Sequence, residues 1–215
     1  MVRPLPDVKP EHDPEPEQAV KMQSFMMTLA RGMAVLGGIV LTLLVLLTCV
    51  SVGGRLLNTV LHGDMAQAVM PGLADWLIGA GVGPVLGDFE LVEAGVAFAI
   101  FAFLPLCQIT GGHATVDIFT ARLPAAVNRW LQGVVDVVFA AVLILIAWRL
   151  MVGMQDKMAY SETTFMLQFP VWWAYAASLA AACVAALIGV YVAAARIVEG
   201  VSGRIILPGR EGMDG

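Results

Sequence analysis

Four long stretches almost without charge constrain this chain more than any other feature. Gly32–Gly54 contains no charged residue and is bracketed by Arg31 and Arg55. As a helix it is about 34 Å long, enough to cross the hydrocarbon of a bilayer. Similar runs follow, and only 13% of all residues are charged, against about a quarter in soluble domains. We therefore predict an all-α polytopic membrane protein with four transmembrane helices, at about 32–54, 89–111, 130–148 and 168–195.

The segments outside these crossings predict the rest of the domain organisation. Residues 1–18 are acidic and rich in proline, which is typical of a disordered tail and not of a signal peptide, so we expect the first crossing to remain as an uncleaved anchor. Residues 19–31 place Met22, Phe25, Met26 and Leu29 on one helical face. This pattern predicts an interfacial amphipathic helix, with a cytoplasmic extension of the first crossing as the alternative.

The connection at 55–88 and the placement of Lys and Arg complete this organisation. Residues 55–88 form the longest loop, in which we expect one or two short helices, and residues 196–215 form a tail. With an inner N-terminus, nine of the twelve Lys and Arg residues lie on the cytoplasmic side. By the positive-inside rule both termini are cytoplasmic and 55–88 is periplasmic.

Asp136 is the clearest ionisable residue inside a predicted crossing. An unshielded carboxylate there costs about 2–3 kcal/mol or more. Asp136 therefore needs a hydrogen-bond donor, contact with a water-filled crevice, or protonation. Ion or proton coupling is one interpretation. The sequence offers no obvious intramembrane cation beside it. We therefore favour a polar contact between helices or between subunits.

Polar and small residues at three other places are further contact candidates. Glu90 and Glu93 begin the second crossing, where the helix dipole stabilises negative charge, and Arg55 is a candidate partner for either carboxylate. The fourth crossing has a small residue at every fourth position, which allows close backbone approach. This small-residue ridge consists of Ala177, Ala181, Ala185, Gly189 and Ala193.

His113 and Asp117 follow two glycines at the end of the second crossing. Helix termination explains the glycines, and Thr115 or Asp117 can cap the next short segment. A zinc or haem site needs further ligands, but His12 lies in the tail and His62 on the opposite membrane face. We expect no metal, no cofactor, no substrate-binding residue and no catalytic residue, since the sequence also lacks P-loop, GxSxG, HExxH and CxxC motifs.

The order and sidedness of these features resemble the small permease subunit of tripartite ATP-independent periplasmic (TRAP) transporters, the DctQ-like family. Four motifs carry the resemblance: SVGGRLL, FELVEAG, GGHATVD and YSETTFMLQFPVWWAY. Their matching residues are Arg55, Glu90, Gly112, His113, Val116, Asp117, Ser161, Pro170, Trp172 and Tyr175. The long loop at 55–88 and the acidic tail are departures from the simplest members.

The resemblance implies a multi-pass protein of the bacterial inner membrane that acts as a scaffold. The implied partners are a large sodium-coupled permease subunit, which carries the substrate, and a periplasmic binding protein that delivers an organic acid such as a dicarboxylate. Two rival functions make different predictions. A membrane anchor of a respiratory or electron-transfer enzyme predicts bound haem or quinone, and an autonomous transporter predicts repeated broken helices.

Overall fold

The computed structural model describes residues 14–63, 68, 70–79, 81, 83–110 and 125–202. These residues form helices joined by turns, and the β-type pairing among them is a single bridge between Thr163 and Pro170. The helices are α1 (Pro14–Leu61), α2 (Pro71–Gly79), α3 (Asp88–Ile109), α4 (Ala125–Ala159) and α5 (Trp172–Ser202).

Four of these helices contain segments that are long and apolar enough to cross a membrane. The segments are Val20–Leu61, Asp88–Ile109, Trp130–Ala159 and Trp172–Glu199. The prediction of an all-α protein with four transmembrane helices is therefore confirmed. Two segments extend past their predicted limits, because α1 continues beyond Gly54 to Leu61 and α4 beyond Trp148 to Ala159.

The four long helices pack in a row, in the order α1, α3, α5, α4. Helix α3 contacts both α1 and α5, and α4 packs along α5. Consistent with this order, half of the residues in the most apolar stretch of α5 are buried within the chain. In the corresponding stretches of α1 and α4, only 6% and 11% are buried. Helices α1 and α4 are thus the two edges, with broad apolar faces that remain exposed.

Successive long helices run in opposite directions, so their ends collect at two ends of the row. We call the end formed by residues 54–63, 83–90 and 160–172 the loop end. The terminal end contains the beginning of α1 and the end of α5: Met26 and Ala30 lie in one buried cluster with Ile109, Ile188 and Val192.

The small-residue ridge makes α5 the central helix. Ala181 and Ala185 are fully buried, and Gly189 and Ala193 are buried as well, whereas Ala177 is exposed. A Cβ added at Gly189 would lie 2.9 Å from Nε2 of Gln108 on α3 and 3.4 Å from Leu143 on α4. Most of the ridge therefore packs against neighbouring helices of this same chain, where it is covered.

The N-terminal part of α1 differs from the separate interfacial helix expected at 19–31. The helix begins at Pro14, inside the segment expected to be a disordered tail, and continues without a break through the first crossing. Met26 and Ala30 face the protein, while Met22 and Phe25 are more than half exposed. Part of the apolar stripe therefore packs on α3 and α5, which favours the alternative of a continuous extension of the first crossing over a separate helix.

Helix α5 likewise extends beyond the expected start of the C-terminal tail at residue 196. It is helical to Ser202, and the next proline along the chain is Pro208. In the long connection after α1, the described residues include the short helix α2. Pro71 is its first residue, a position where proline is tolerated because its missing N–H would have no helical partner.

Candidate functional site

A polar cluster joins α1 to α3 at the loop end. Ser51 and Arg55 are one turn apart on α1, so both side chains lie on the face toward α3. Oδ2 of Asp88 accepts hydrogen bonds from Oγ of Ser51 at 2.5 Å and from Nη2 of Arg55 at 2.8 Å. The Arg55 guanidinium also lies 5.2 Å from the centre of the Phe89 ring. We call Ser51, Arg55 and Asp88 the α1–α3 cluster.

The prediction that Arg55 pairs with Glu90 or Glu93 was wrong. Arg55 pairs with the carboxylate of Asp88. Residues on an α-helix turn by about 100° each, so Glu90 points roughly 200° away from Asp88. When Asp88 faces α1, Glu90 must face away from it. Asp88 was overlooked because the sequence places it at the end of a loop, one residue before the predicted crossing.

Glu90 instead holds the connection between α4 and α5. Its Oε1 accepts a hydrogen bond from the backbone N–H of Met166 at 2.6 Å, and its Oε2 accepts one from Leu167 at 2.9 Å. Gly87 permits this approach, since it has a φ of 77° and an added Cβ would collide with the Leu167 side chain. Glu90 thus ties α3 to a loop more than seventy residues away in sequence.

Ser161 and Pro170 lie at the two sides of this connection, residues 160–171. The chain folds back on itself, with the N–H of Thr164 donating to Phe169 O at 2.9 Å and that of Val171 to Glu162 O at 3.0 Å. Ser161 has a positive φ of 49°, which a tight turn requires. The segment predicted as a polar entry to the fourth crossing is therefore a closed loop that precedes α5.

A second polar cluster joins α4 to α5 near the terminal end. Nε of Arg196 lies 3.6 Å from Oδ2 of Asp136, and its Nη1 donates to Glu199 Oε2 at 3.2 Å. The side chains of Asp136 and Arg196 are only 21% and 27% exposed. We call Asp136, Arg196 and Glu199 the α4–α5 cluster.

The sequence-based view that Asp136 has no nearby cation was wrong. The sequence pattern places Arg196 in the cytoplasmic tail, because the apolar run ends at Ala195. Since α5 continues to Ser202, its Arg196 lies beside α4 and reaches back toward Asp136 along the apolar surface. An ion pair offsets the cost of a carboxylate at this depth, in agreement with the predicted polar contact between helices.

The remaining candidates are placed as follows. His113 and Asp117 fall outside the described residues. Glu93 is exposed and lines a cleft beside Glu90. Ala177 is exposed at the loop-end side of the ridge. Within the described ranges, no three His, Cys, Asp or Glu side chains come together as a potential metal site.

Comparison with family models identifies the group to which this helical row belongs. Residues 79–202 match the model described as "Tripartite ATP-independent periplasmic transporters, DctQ component". This match spans more than half of the 215 residues and includes all of α3, α4 and α5. The chain belongs to the DctQ family. The resemblance recognised from the sequence motifs is thereby confirmed.

As a DctQ family member, the chain is a small membrane subunit of a TRAP transporter, and the family is one of transporter components, not of enzymes. TRAP transporters also contain a large permease and a binding protein, so partners of these kinds are indicated. Neither curated proteins nor solved structures yield a match to this chain. All of α1, including the cluster residues Ser51 and Arg55, lies outside the matched range.

Proposed function

We propose that this DctQ subunit is the scaffold of a sodium-coupled, binding-protein-dependent transporter for organic acids. In this role it holds the large permease subunit in the membrane and does not itself carry the substrate. The observation that carries the proposal is the open row of helices, in which α1 and α4 expose broad apolar edges. A row offers a long lateral surface to a larger neighbour, whereas a closed bundle buries most of its apolar area.

The two polar clusters support a rigid scaffold. The α1–α3 cluster joins one edge helix to the centre of the row, and the α4–α5 cluster joins the other edge helix to it. Side-chain hydrogen bonds and ion pairs between helices fix their rotation and register, which lipid-exposed apolar packing specifies less strictly. In this scheme the intramembrane carboxylate Asp136 is a structural group and takes no part in ion movement.

We further propose that the protein lies in the bacterial inner membrane with both termini in the cytoplasm. The Lys and Arg distribution supports this orientation. The loop end, with residues 160–171 and His62, then faces the periplasm and the binding protein. In a cysteine-free background, His62→Cys in spheroplasts should react with a membrane-impermeant maleimide. Reaction only after permeabilisation would contradict this orientation.

Reconstituted uptake tests the scaffold function. Proteoliposomes would contain the large permease with or without this chain, receive the binding protein outside, and be energised by an inward sodium gradient. A panel of labelled dicarboxylates and sialic acid covers the substrate class. We expect uptake that requires this chain, the binding protein and sodium together. Equal uptake by the large permease alone, or transport by this chain alone, would refute the proposal.

A further inference from the structure

A cleft of about 480 Å³ opens between α3, α4, α5 and the 160–171 connection. Its mouth is at the loop end, where Glu90 and Glu93 lie on the first two turns of α3. Phe101 on α3 and Leu150 on α4 line its deeper part. From Glu93 to Phe101 the helix rises about 12 Å, close to the depth of one leaflet of hydrocarbon. The cleft therefore passes from a charged mouth to an apolar floor within a single leaflet.

A buried hydroxyl points to a ligand in this cleft. Ser178 lines the cleft, is only 2% exposed, and its Oγ has no hydrogen-bond partner among the described residues. Buried hydroxyl groups in folded proteins are rarely left without a partner, because the lost hydrogen bonds to water must be replaced. An oxygen of a bound molecule would meet that requirement.

The charge of the cleft selects the ligand class. Glu90 is engaged by the N–H groups of Met166 and Leu167, but Glu93 makes no ion pair with any residue that the structure describes. Two carboxylates at the mouth repel an organic anion and attract an ammonium group. The transported acid is thus a poor occupant, and an amphipathic molecule with an amine at its polar end is a good one.

We propose that this cleft binds one phospholipid with a primary ammonium headgroup, that is, phosphatidylethanolamine. Glu93 accepts a hydrogen bond from the ammonium group, and the hydroxyl of Ser178 donates to a phosphate or ester oxygen. One acyl chain lies along Phe101 and Leu150. All residues that form this site belong to this chain. The proposed lipid site therefore does not depend on the proposed transporter function.

Native mass spectrometry of the purified full-length chain tests the site. The chain would be equilibrated in detergent with equal amounts of dioleoyl phosphatidylethanolamine, phosphatidylglycerol and phosphatidylcholine. We expect one phosphatidylethanolamine adduct to predominate. Glu93→Gln should reduce that preference by about two- to fivefold, the range for loss of one exposed ion pair. Asp156→Asn, which removes an equal charge from an exposed position on α4, should leave it unchanged.

Two further arms separate this site from other occupants. Ala97→Leu places bulk on the wall of the cleft and should abolish the adduct of all three lipids, while circular dichroism confirms an unchanged helix content. Free ethanolamine should not displace the bound lipid, because it lacks the acyl chain. Equal adducts for the three lipids, no effect of Glu93→Gln, or displacement by ethanolamine would overturn the proposal. So would loss of the lipid when the large permease is co-purified, since the cleft would then be a protein-docking surface.

Discussion

Two adjacent glycines on α1 provide a sharp test of how the loop end is assembled. Gly54 packs against the segment that leads into α3: an added Cβ would collide with the carbonyl oxygen of Gly83 and lie 2.7 Å from its carbonyl carbon. At the neighbouring Gly53 nothing lies within 4 Å of an added Cβ. Gly53→Ala is therefore a matched control for Gly54→Ala, since both exchange the same atoms in the same helix.

The structure gives opposite expectations for these two variants. Alanine stabilises a helix interior by about 1 kcal/mol relative to glycine, so Gly53→Ala should raise the free energy of unfolding. At Gly54 the Gly83 backbone must move away before an added Cβ can fit, because its carbonyl carbon would lie only 2.7 Å from that Cβ. Overpacking of this kind costs about 1–3 kcal/mol. Both variants gain the same stability from the higher helix propensity of alanine. Gly54→Ala should therefore be less stable than Gly53→Ala by about 1–3 kcal/mol.

Reversible unfolding of the purified chain in mixed micelles, followed by circular dichroism during titration with dodecyl sulfate, measures this difference. A displaced Gly83 segment should also loosen Asp88 in the α1–α3 cluster, so hydrogen exchange at the start of α3 should rise in Gly54→Ala alone. Equal stability and equal exchange in the two variants would refute the close contact between α1 and this segment.

Three other predictions concern the remaining contacts. Glu90→Gln should speed hydrogen exchange at the two loop amides that it binds, because a neutral amide accepts more weakly; unchanged exchange would argue against this link. Asp136→Asn should destabilise the chain by about 1–2 kcal/mol, between the values for exposed and buried pairs. Its effect should be smaller in an Arg196→Gln background, whereas additive effects would contradict the pairing. In the same unfolding assay, Ala185→Leu should cost about 1–3 kcal/mol, while Ala177→Leu should be nearly neutral; equal effects would exclude the ridge as a packing face.

The number of transmembrane helices was predictable from the sequence because bilayer thickness alone sets the required length of an apolar run. The small-residue ridge was also visible, since its spacing follows directly from the helical repeat. The helices that pack against this ridge could not be predicted from the sequence. The sequence shows that a backbone can approach Ala181 and Gly189, but it does not show that α3 and α4 of the same chain do so.

The errors share one physical cause, which is that apolar runs do not mark where helices end. The apolar run of the fourth crossing ends just before Arg196, which separates Arg196 from Asp136 in the sequence-based prediction, and the apolar run of the second crossing begins just after Asp88, which places Asp88 in the loop and apart from Arg55. Both residues are helical, and their side chains point back along neighbouring helices. Pairing across helices depends on rotation and register, which a hydropathy pattern does not fix.

The central claim, that this chain is a scaffold held against a larger permease, is tested most directly by the mass of the purified membrane complex. The tagged chain would be co-expressed with the large permease subunit of its transporter, extracted in mild detergent and analysed by native mass spectrometry. The account predicts a stable assembly of the two polypeptides in a fixed ratio, with the scaffold subunit rarely found alone. Two separate species, each monodisperse without the other, would contradict it.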